Sequence, residues 1–202
     1  MEHSVFGLDE QNANLSSKIV VSLEKISEVF RILLWQQAKT FGLSPIQIQI
    51  LIFIQTHESH LNKVSYLAKE FNLTKATISD AVRVLEQKEL INKLRNDADS
   101  RSFSIVLTPN GTAVSKKVAL FSNSLKTTIE GFSSEKQSDL WGSLLSVLVD
   151  FQSKGVLSLE RMCLNCKFHS TDGATGHYCE FLKQSLEQDE LRIDCPEHEM
   201  KQ

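Results

Sequence analysis

Apolar residues recur at helical spacing along most of this 202-residue chain, and this period constrains the fold more than any other feature. The first stripe covers residues 14–40, where Leu, Ile and Phe recur every three or four positions, and it stops at Gly42, a typical helix end. Ser44 followed by Pro45 is typical of a helix start and opens the apolar segment 46–54. The chain is therefore predicted to be mostly α-helical.

Residues 63–88 predict two helices separated by a short turn at Asn72, a residue that tolerates the left-handed backbone of tight turns. Thr74 is the predicted cap of the second helix, whose outer face carries short polar or basic side chains near its start. A DNA recognition helix needs such a face because its first turns enter the major groove. An ordinary solvated helix face is the alternative. The predicted DNA-binding residues of this helix are Lys75, Ala76, Thr77, Ser79, Asp80 and Arg83.

Two short strands are predicted next, over residues 91–95 and 102–108, joined by the polar loop 96–100. Arg95 and Arg101 are predicted to reach the minor groove or the phosphates, and Asp97 or Asp99 to orient Arg101 by a charge-assisted hydrogen bond. A surface hairpin with solvated charges is the alternative. A helix-turn-helix followed by such a β-wing describes a winged helix.

Several short motifs follow one another in this part of the chain. They are Leu43-Ser44-Pro45, Leu67-Ala68, Leu73-Thr74, Thr77-Ile78-Ser79, Leu90-Ile91, Asp97-x-Asp99-x-Arg101 and Leu107-Thr108-Pro109-x-Gly111. With them, residues 14–153 resemble the MarR family of bacterial winged-helix transcriptional regulators. The resemblance implies a homodimer whose two recognition helices bind successive major grooves of a pseudo-palindromic operator. It also implies repression, with release of the double-stranded DNA when a small-molecule effector binds or oxidation occurs. Glu89 departs from the family pattern, which usually has glycine there, and predicts a costlier backbone or a different helix end.

Two more helical stripes follow the wing, over residues 109–132 and 134–152. Together with the helix at 14–40 they are expected to form the interlocked helical bundle of the dimer. An effector pocket between this bundle and the winged helix is a further expectation. The alternative from a different functional class is a helical dimeric adaptor that binds proteins through its metal-bound tail.

Charge is distributed unevenly along the chain. The net charge is -3, yet from Glu160 onward nine acidic residues face five basic ones, so the remainder is weakly basic. Such a balance permits a nucleic-acid partner without demanding one. The sequence shows no P-loop, nucleophile elbow or dinucleotide fingerprint, so no enzyme is expected. Residues 1–13 lack the apolar region of a signal peptide, and no apolar run is long enough to span a bilayer, so a cytoplasmic protein without membrane contact is expected.

The four cysteines all lie near the C-terminus, at Cys163, Cys166, Cys179 and Cys195. Four thiolates suit a closed tetrahedral zinc site, and structural zinc is the first prediction for this segment. His198 is an alternative ligand, because it follows Cys195 at the spacing that separates the first two cysteines. The predicted organisation is thus a flexible N-terminus at 1–13, a winged-helix and dimerisation domain at 14–154, and a cysteine-rich metal-binding appendage at 155–202.

An iron–sulfur cluster is the alternative cofactor for the same cysteines. Four cysteines ligate such clusters, and proline directly after the last cysteine, here Pro196, is typical of cluster ligands. Free redox-active thiols are the third interpretation. Under the zinc interpretation the metal stabilises a tail too small to fold alone. Under the cluster interpretation the tail is an iron or redox sensor.

Overall fold

The structure is a computed structural model that describes residues 4–96, 99–157, 161–171 and 176–201. It is mostly helical with a small antiparallel wing, as the sequence predicted, and it also has a second small antiparallel sheet in the tail, which was not predicted. The helices are α1 (Leu8–Ala13), α2 (Leu15–Phe41), α3 (Pro45–Thr56), α4 (Val64–Glu70), α5 (Lys75–Gln87), α6 (Pro109–Val118), α7 (Asn123–Glu130) and α8 (Ser134–Ser153). Within the described ranges, none of these helices has the length and apolar character that crossing a bilayer requires.

Helix starts and ends follow the local signals of the sequence. Asn14 caps α2 through a bond from the Ser16 amide, and Gly42 ends it in the left-handed conformation, with φ 60°. Ser44 caps α3 in a reciprocal capping box with Gln47. Asn72 has the predicted left-handed backbone, with φ 50°. These caps satisfy amide groups that a helix leaves unpaired, so they define the helix bounds from short-range sequence alone.

The main core lies where α3, α4, α5 and α6 meet the wing. Ser115 of α6 is fully buried, and its hydroxyl donates to the Leu51 carbonyl of α3 at 3.0 Å. The residues of α5 that lie on its inner side at helical spacing, Ile78, Ala81, Val82 and Leu85, are all buried here. The core side chains with no more than 1% exposure include Ile48, Ile50, Leu51, Leu67, Ile78, Val82, Leu85, Ile91, Ile105 and Val118.

The wing consists of β1 (Ile91–Asn96) and β2 (Asp99–Leu107), which pair antiparallel with Ile91 opposite Leu107. Both strands extend further towards the turn than predicted, whereas β2 ends at Leu107, one residue before its predicted end. An irregularity between Arg95 and Asn96 lets the ladder continue, and Asn96 then pairs with Asp99. The predicted loop 96–100 is therefore partly strand, because the ladder resumes after its register shift.

The single helix predicted over residues 109–132 is wrong. A 3₁₀ turn at Ala119–Ser122 separates α6 from α7. Ser122, Asn123 and Ser124 are weak helix formers, so the chain bends there at little cost. The turn places Phe121 edge-on against Phe30 of α2, with ring centroids 6.4 Å apart. This contact stabilises the break between α6 and α7.

The C-terminal tail forms a small sheet of β3 (His169–Ser170), β4 (Tyr178–Cys179) and β5 (Gln184–Ser185), in that order. It packs on α8, where Leu145 is 5% exposed and lies in one buried cluster with Met162, Leu186 and Leu191. The Trp141 indole also donates to the Gln188 carbonyl at 2.8 Å. Part of the α8 stripe expected in the dimer core therefore faces the tail of its own chain.

Candidate nucleic-acid interface and cysteine cavity

Helix α5 presents one buried and one exposed face. Its inner residues hold it on the core, which leaves the opposite face open to solvent over its first two turns. Every residue predicted to bind DNA on this helix is exposed; these are Lys75, Ala76, Thr77, Ser79, Asp80 and Arg83. We call this set the α5 polar face. It combines small side chains, which let a helix approach closely, with the two cations Lys75 and Arg83.

Polar contacts order the α5 polar face. The Thr74 hydroxyl accepts from the Thr77 amide at 3.1 Å and lies 2.9 Å from the Thr77 hydroxyl, which is the predicted cap. Arg83 Nη2 donates to Asp80 Oδ1 at 2.8 Å, with both side chains more than 60% exposed. An ion pair this exposed contributes little stability. The Arg83 guanidinium can therefore exchange readily from the Asp80 carboxylate to another anion, such as a phosphate.

The wing lies beside α5 and is joined to it by an ion pair. Lys93 of β1 donates to Glu86 Oε2 of α5 at 2.5 Å, and its ammonium group also lies 5.3 Å from the ring centroid of Phe103. Arg95 lies in β1, and Asp99 and Arg101 lie in β2. The positions of these three side chains are not among the described features, and Asp97 lies outside the described residues. Their predicted DNA contacts and the orienting role of the two aspartates stay predictions.

The connection between α5 and the wing turns on Glu89, which has φ 56°. The departure from glycine therefore results in a left-handed backbone, the costlier of the two outcomes that the sequence left open. Two bonds from Thr108 hold the segment, since its hydroxyl donates to the Glu89 carbonyl at 2.7 Å and its amide to the Leu90 carbonyl at 3.0 Å.

Gly111 explains the final part of the Leu107-Thr108-Pro109-x-Gly111 motif. A Cβ atom at this position would lie 1.8 Å from the Leu90 carbonyl oxygen, which no side chain can accommodate. Its amide donates to the Thr108 hydroxyl at 2.9 Å. The motif thus lets the start of α6 pass against the backbone that leads into the wing.

The four cysteines line one cavity in the tail, which we call the cysteine cavity, with a volume of about 140 Å³. Cys163 and Cys166 are buried, Cys179 and Cys195 are half-buried, and all four thiols are free. Residues far apart in sequence therefore meet at one place, as a metal site requires. The tail's turns and its strand β4 bring them there.

Hydrogen bonds and burial distinguish these thiols. The Arg192 amide donates to Cys163 Sγ at 3.2 Å, and Arg192 Nη1 lies 3.7 Å from Cys195 Sγ. Burial raises the pKa of Cys163; the Arg192 amide opposes this, and the other three thiols add to it. Burial and the neighbouring thiols thus disfavour the thiolate form of Cys163.

The side chains at the cavity are not arranged around a single ion. Among the described residues, no three His, Cys, Asp or Glu side chains are placed to hold one metal ion. His198, the alternative ligand, instead lines a second cavity and lies 2.7 Å from Asn165 Oδ1. His169 lines the cysteine cavity, and its Nε2 lies 3.0 Å from His177 Nδ1. Burial is the main cause that lowers the pKa of His169, and the charges of Lys201 and His177 lower it further.

A cluster around Arg161 joins the tail to the helix-turn-helix and was not predicted from the sequence. Arg161 donates to Glu70 at 2.9 and 3.2 Å, to the Tyr66 hydroxyl at 2.7 Å and to Asp194 at 2.6 and 3.2 Å. His57 Nε2 lies 2.8 Å from Asp194 Oδ2. Burial opposes ionisation of Asp194, but the bonds from Arg161 and His57 outweigh it and lower the pKa of this carboxyl. We call these five residues the Arg161 cluster.

A cavity of about 430 Å³ lies beside the Arg161 cluster, between α3, α4 and the tail. Its walls include His57, Tyr66 and Arg161 together with Pro196 and Met200. The partners of Arg161 are separated from it by 33 to 104 residues, so no local pattern indicates them. The surplus of acidic residues in the tail was the only related signal in the sequence.

Comparison with known proteins shows which family this geometry resembles. The MarR family model matches residues 41–102, which include α3, α4, α5 and most of the wing. No curated protein matches the chain.

Solved structures share the fold. A DNA complex of MepR from S. aureus has a TM-score of 0.57 at 23% identity, covering 65% of this chain and 96% of that one. MepR described as a transcription regulator of the Staphylococcus aureus multidrug efflux pump MepA has a TM-score of 0.52 at 22% identity, covering 64% and 95%. A MarR transcriptional regulator from Methanosarcina mazei has a TM-score of 0.54 at 16% identity, covering 64% and 95%. The predicted resemblance is confirmed: residues 41–102 match the MarR family model, and the chain shares its winged-helix fold with solved MarR-type regulators.

Proposed function

We propose that this protein is a sequence-specific DNA-binding transcriptional regulator that acts as a homodimer on a pseudo-palindromic operator. The observation that carries the proposal is the α5 polar face. It is exposed at the start of a helix whose other side is anchored in the core. A recognition helix reads base edges with its N-terminal residues while the first helix of the pair crosses the backbone.

The wing and the similar structures support this function. Arg95 and Arg101 belong to strands that follow directly on α5, and their part in the proposal is to bind the DNA backbone or minor groove next to the recognition helix. A structure with the same fold, MepR from S. aureus, is described as a DNA complex. Because this chain has the same fold and an exposed polar face on α5, a regulator is favoured over a protein-binding adaptor.

Exposed apolar side chains on the long helices support the homodimer. On α2, several of the residues of the predicted stripe are about half exposed. Soluble proteins rarely leave an apolar face of this extent in water. The exposed large apolar residues of α2 and α8 are Leu15, Ile19, Val20, Ile26, Val29, Phe30, Ile32, Trp35, Val147 and Phe151. A second copy that packs on these helices would cover them and set two α5 helices at a fixed spacing.

Repression is the proposed outcome, because a dimer seated on an operator excludes other proteins from it. Control by a small ligand, by a metal or by redox state is part of the same proposal. The cavity of about 430 Å³ between the tail and α3 and α4 supports ligand control, since it borders the first helix of the helix-turn-helix.

A binding experiment tests the function. The full chain is titrated onto promoter DNA of its own operon and onto a scrambled duplex, at several salt concentrations. We expect sequence-specific binding that weakens with salt, and Arg83→Ala to weaken it about ten-fold, the usual scale for a lost base or phosphate contact. Lys154→Ala is the matched control, because it removes one exposed cation from α8 and should leave binding unchanged. Equal binding to both duplexes would contradict the regulator and favour the adaptor.

A further inference from the structure

We propose that the cysteine cavity binds an iron–sulfur cluster through Cys163, Cys166, Cys179 and Cys195. The cavity is formed by the tail alone and lies apart from the α5 polar face. Its function would thus be additional to DNA binding.

The arrangement of side chains at the cavity favours a cluster over a single zinc ion. Zinc bound by four cysteines at its usual bond length places the sulfur atoms about 3.8 Å apart around one centre. In this structure all four thiols surround a cavity of about 140 Å³, and no described group of three ligands is placed to hold one ion. A cluster distributes its ligands over several irons, so four cysteines around one cavity can bind it without converging on a single centre.

The walls of the cysteine cavity suit a cluster. Phe168, Phe181 and Leu186 line it, and the rings of Phe168 and Phe181 lie 5.3 Å apart. Apolar side chains along this wall reduce the polarity around the thiols, which influences the reduction potential of a cluster. A tetrahedral zinc site has no reduction potential to adjust, so it does not need such a wall.

Hydrogen bonds to sulfur point the same way. The Arg192 amide donates to Cys163 Sγ at 3.2 Å, and its guanidinium lies 3.7 Å from Cys195 Sγ. Such bonds stabilise the negative charge of ligating thiolates and are among the factors that set cluster potentials. Pro196 follows Cys195 directly, as is typical of cluster ligands.

The position of the last ligand links the cavity to the winged helix. Cys195 adjoins Asp194, which Arg161 binds while it also binds Glu70 of α4. Ligation of Cys195 would restrict the neighbouring carboxylate of Asp194, because the two residues are adjacent in the chain. The occupied cavity would therefore stabilise the attachment of the tail to the helix-turn-helix.

Metal analysis and visible spectroscopy test the cluster. The full chain is purified under nitrogen, then incubated with ferric iron, sulfide and dithiothreitol, which reduces the share of the iron that a mixed-valence cluster needs, and desalted. We expect a brown protein that retains iron and acid-labile sulfide in similar amounts and shows a paramagnetic signal after reduction or oxidation. A colourless protein with one zinc per chain would overturn the proposal, and so would a protein that retains no metal.

Variants assign the ligands. Cys163→Ala, Cys166→Ala, Cys179→Ala and Cys195→Ala should each lose most of the iron and the visible absorption. His198→Ala is the control and should keep both, because His198 lies at the second cavity. Since a buried cysteine change also risks misfolding, Cys195→Ser at the half-buried site provides a second measurement: an altered spectrum supports ligation, and an unchanged one contradicts it. These readouts do not involve DNA, so failure of the proposed regulator and failure of the cluster are distinguishable.

Discussion

Arg161 Nη1 donates to Glu70 Oε2 at 2.9 Å, and this ion pair ties the C-terminal tail to the first helix of the helix-turn-helix. The two side chains are only 12% and 17% exposed. Arg161 also lies over the rings of Phe53 and Tyr66, at 5.6 and 6.0 Å from their centroids. Neighbouring carboxylates thus raise the pKa of Arg161 despite its burial, and the guanidinium stays charged.

Replacing Arg161 should destabilise the folded chain. Arg161→Ala leaves Glu70 and Asp194 near each other without their cation, and breaking such a largely buried pair costs about 3 kcal/mol. Urea unfolding monitored by circular dichroism measures this loss. Arg31→Ala is the control, since Arg31 is 66% exposed and its loss should cost below about 0.5 kcal/mol. Equal effects of the two changes would contradict a structural role for the Arg161 cluster.

Glu89→Gly should stabilise the protein. The left-handed backbone at Glu89 strains any residue with a side chain. Removing the side chain relieves this strain, and it should raise the free energy of unfolding by about 1 kcal/mol after the larger conformational entropy of glycine is subtracted. Thermal unfolding should therefore show a higher midpoint. Lys88→Gly tests the explanation, because Lys88 has φ -85° and glycine there should destabilise. A Glu89→Gly midpoint at or below that of the natural chain would refute the strain.

Gly111→Ala should severely disturb the junction between the wing and α6. The new methyl group would overlap the Leu90 carbonyl, and forcing the backbones apart costs about 3 kcal/mol or more. Gly142→Ala in α8 offers a comparison, since its Cβ would meet only the mobile end of the Gln188 side chain, at 2.6 Å. That change should be nearly neutral in denaturant titrations. Comparable losses for both glycines would show that the close approach at Leu90 does not matter.

Ile26→Glu should weaken the proposed homodimer. Ile26 is 46% exposed on α2, and a charge placed in an apolar interface loses its hydration without gaining a partner. Analytical ultracentrifugation should show a shift toward monomer at concentrations where the natural chain is dimeric. Ile26→Val keeps the site apolar and should preserve the dimer. Unchanged assembly of the glutamate variant would place the interface elsewhere.

Short-range signals in the sequence were sufficient for the helix-turn-helix. Ser44, Thr74 and Asn72 act on amide groups within a few residues, so their roles as caps or turn residues do not depend on the rest of the fold. The α5 polar face followed in the same way, because the spacing of Ile78 and Leu85 determines which side of that helix is buried.

Only the tertiary structure decided how the tail packs on the rest of the chain. The cysteines indicated a metal from their clustering, but whether they surround one ion or a wider cavity depends on the path of the chain between them. Likewise, Leu145 of α8 could pack on a partner or on the tail with equal apolar gain, and the fold selected Met162 and Leu191. Arg161 meets Glu70 across 91 residues. Contacts of this range depend on how separate elements pack, whereas caps and helical stripes depend on neighbours in sequence.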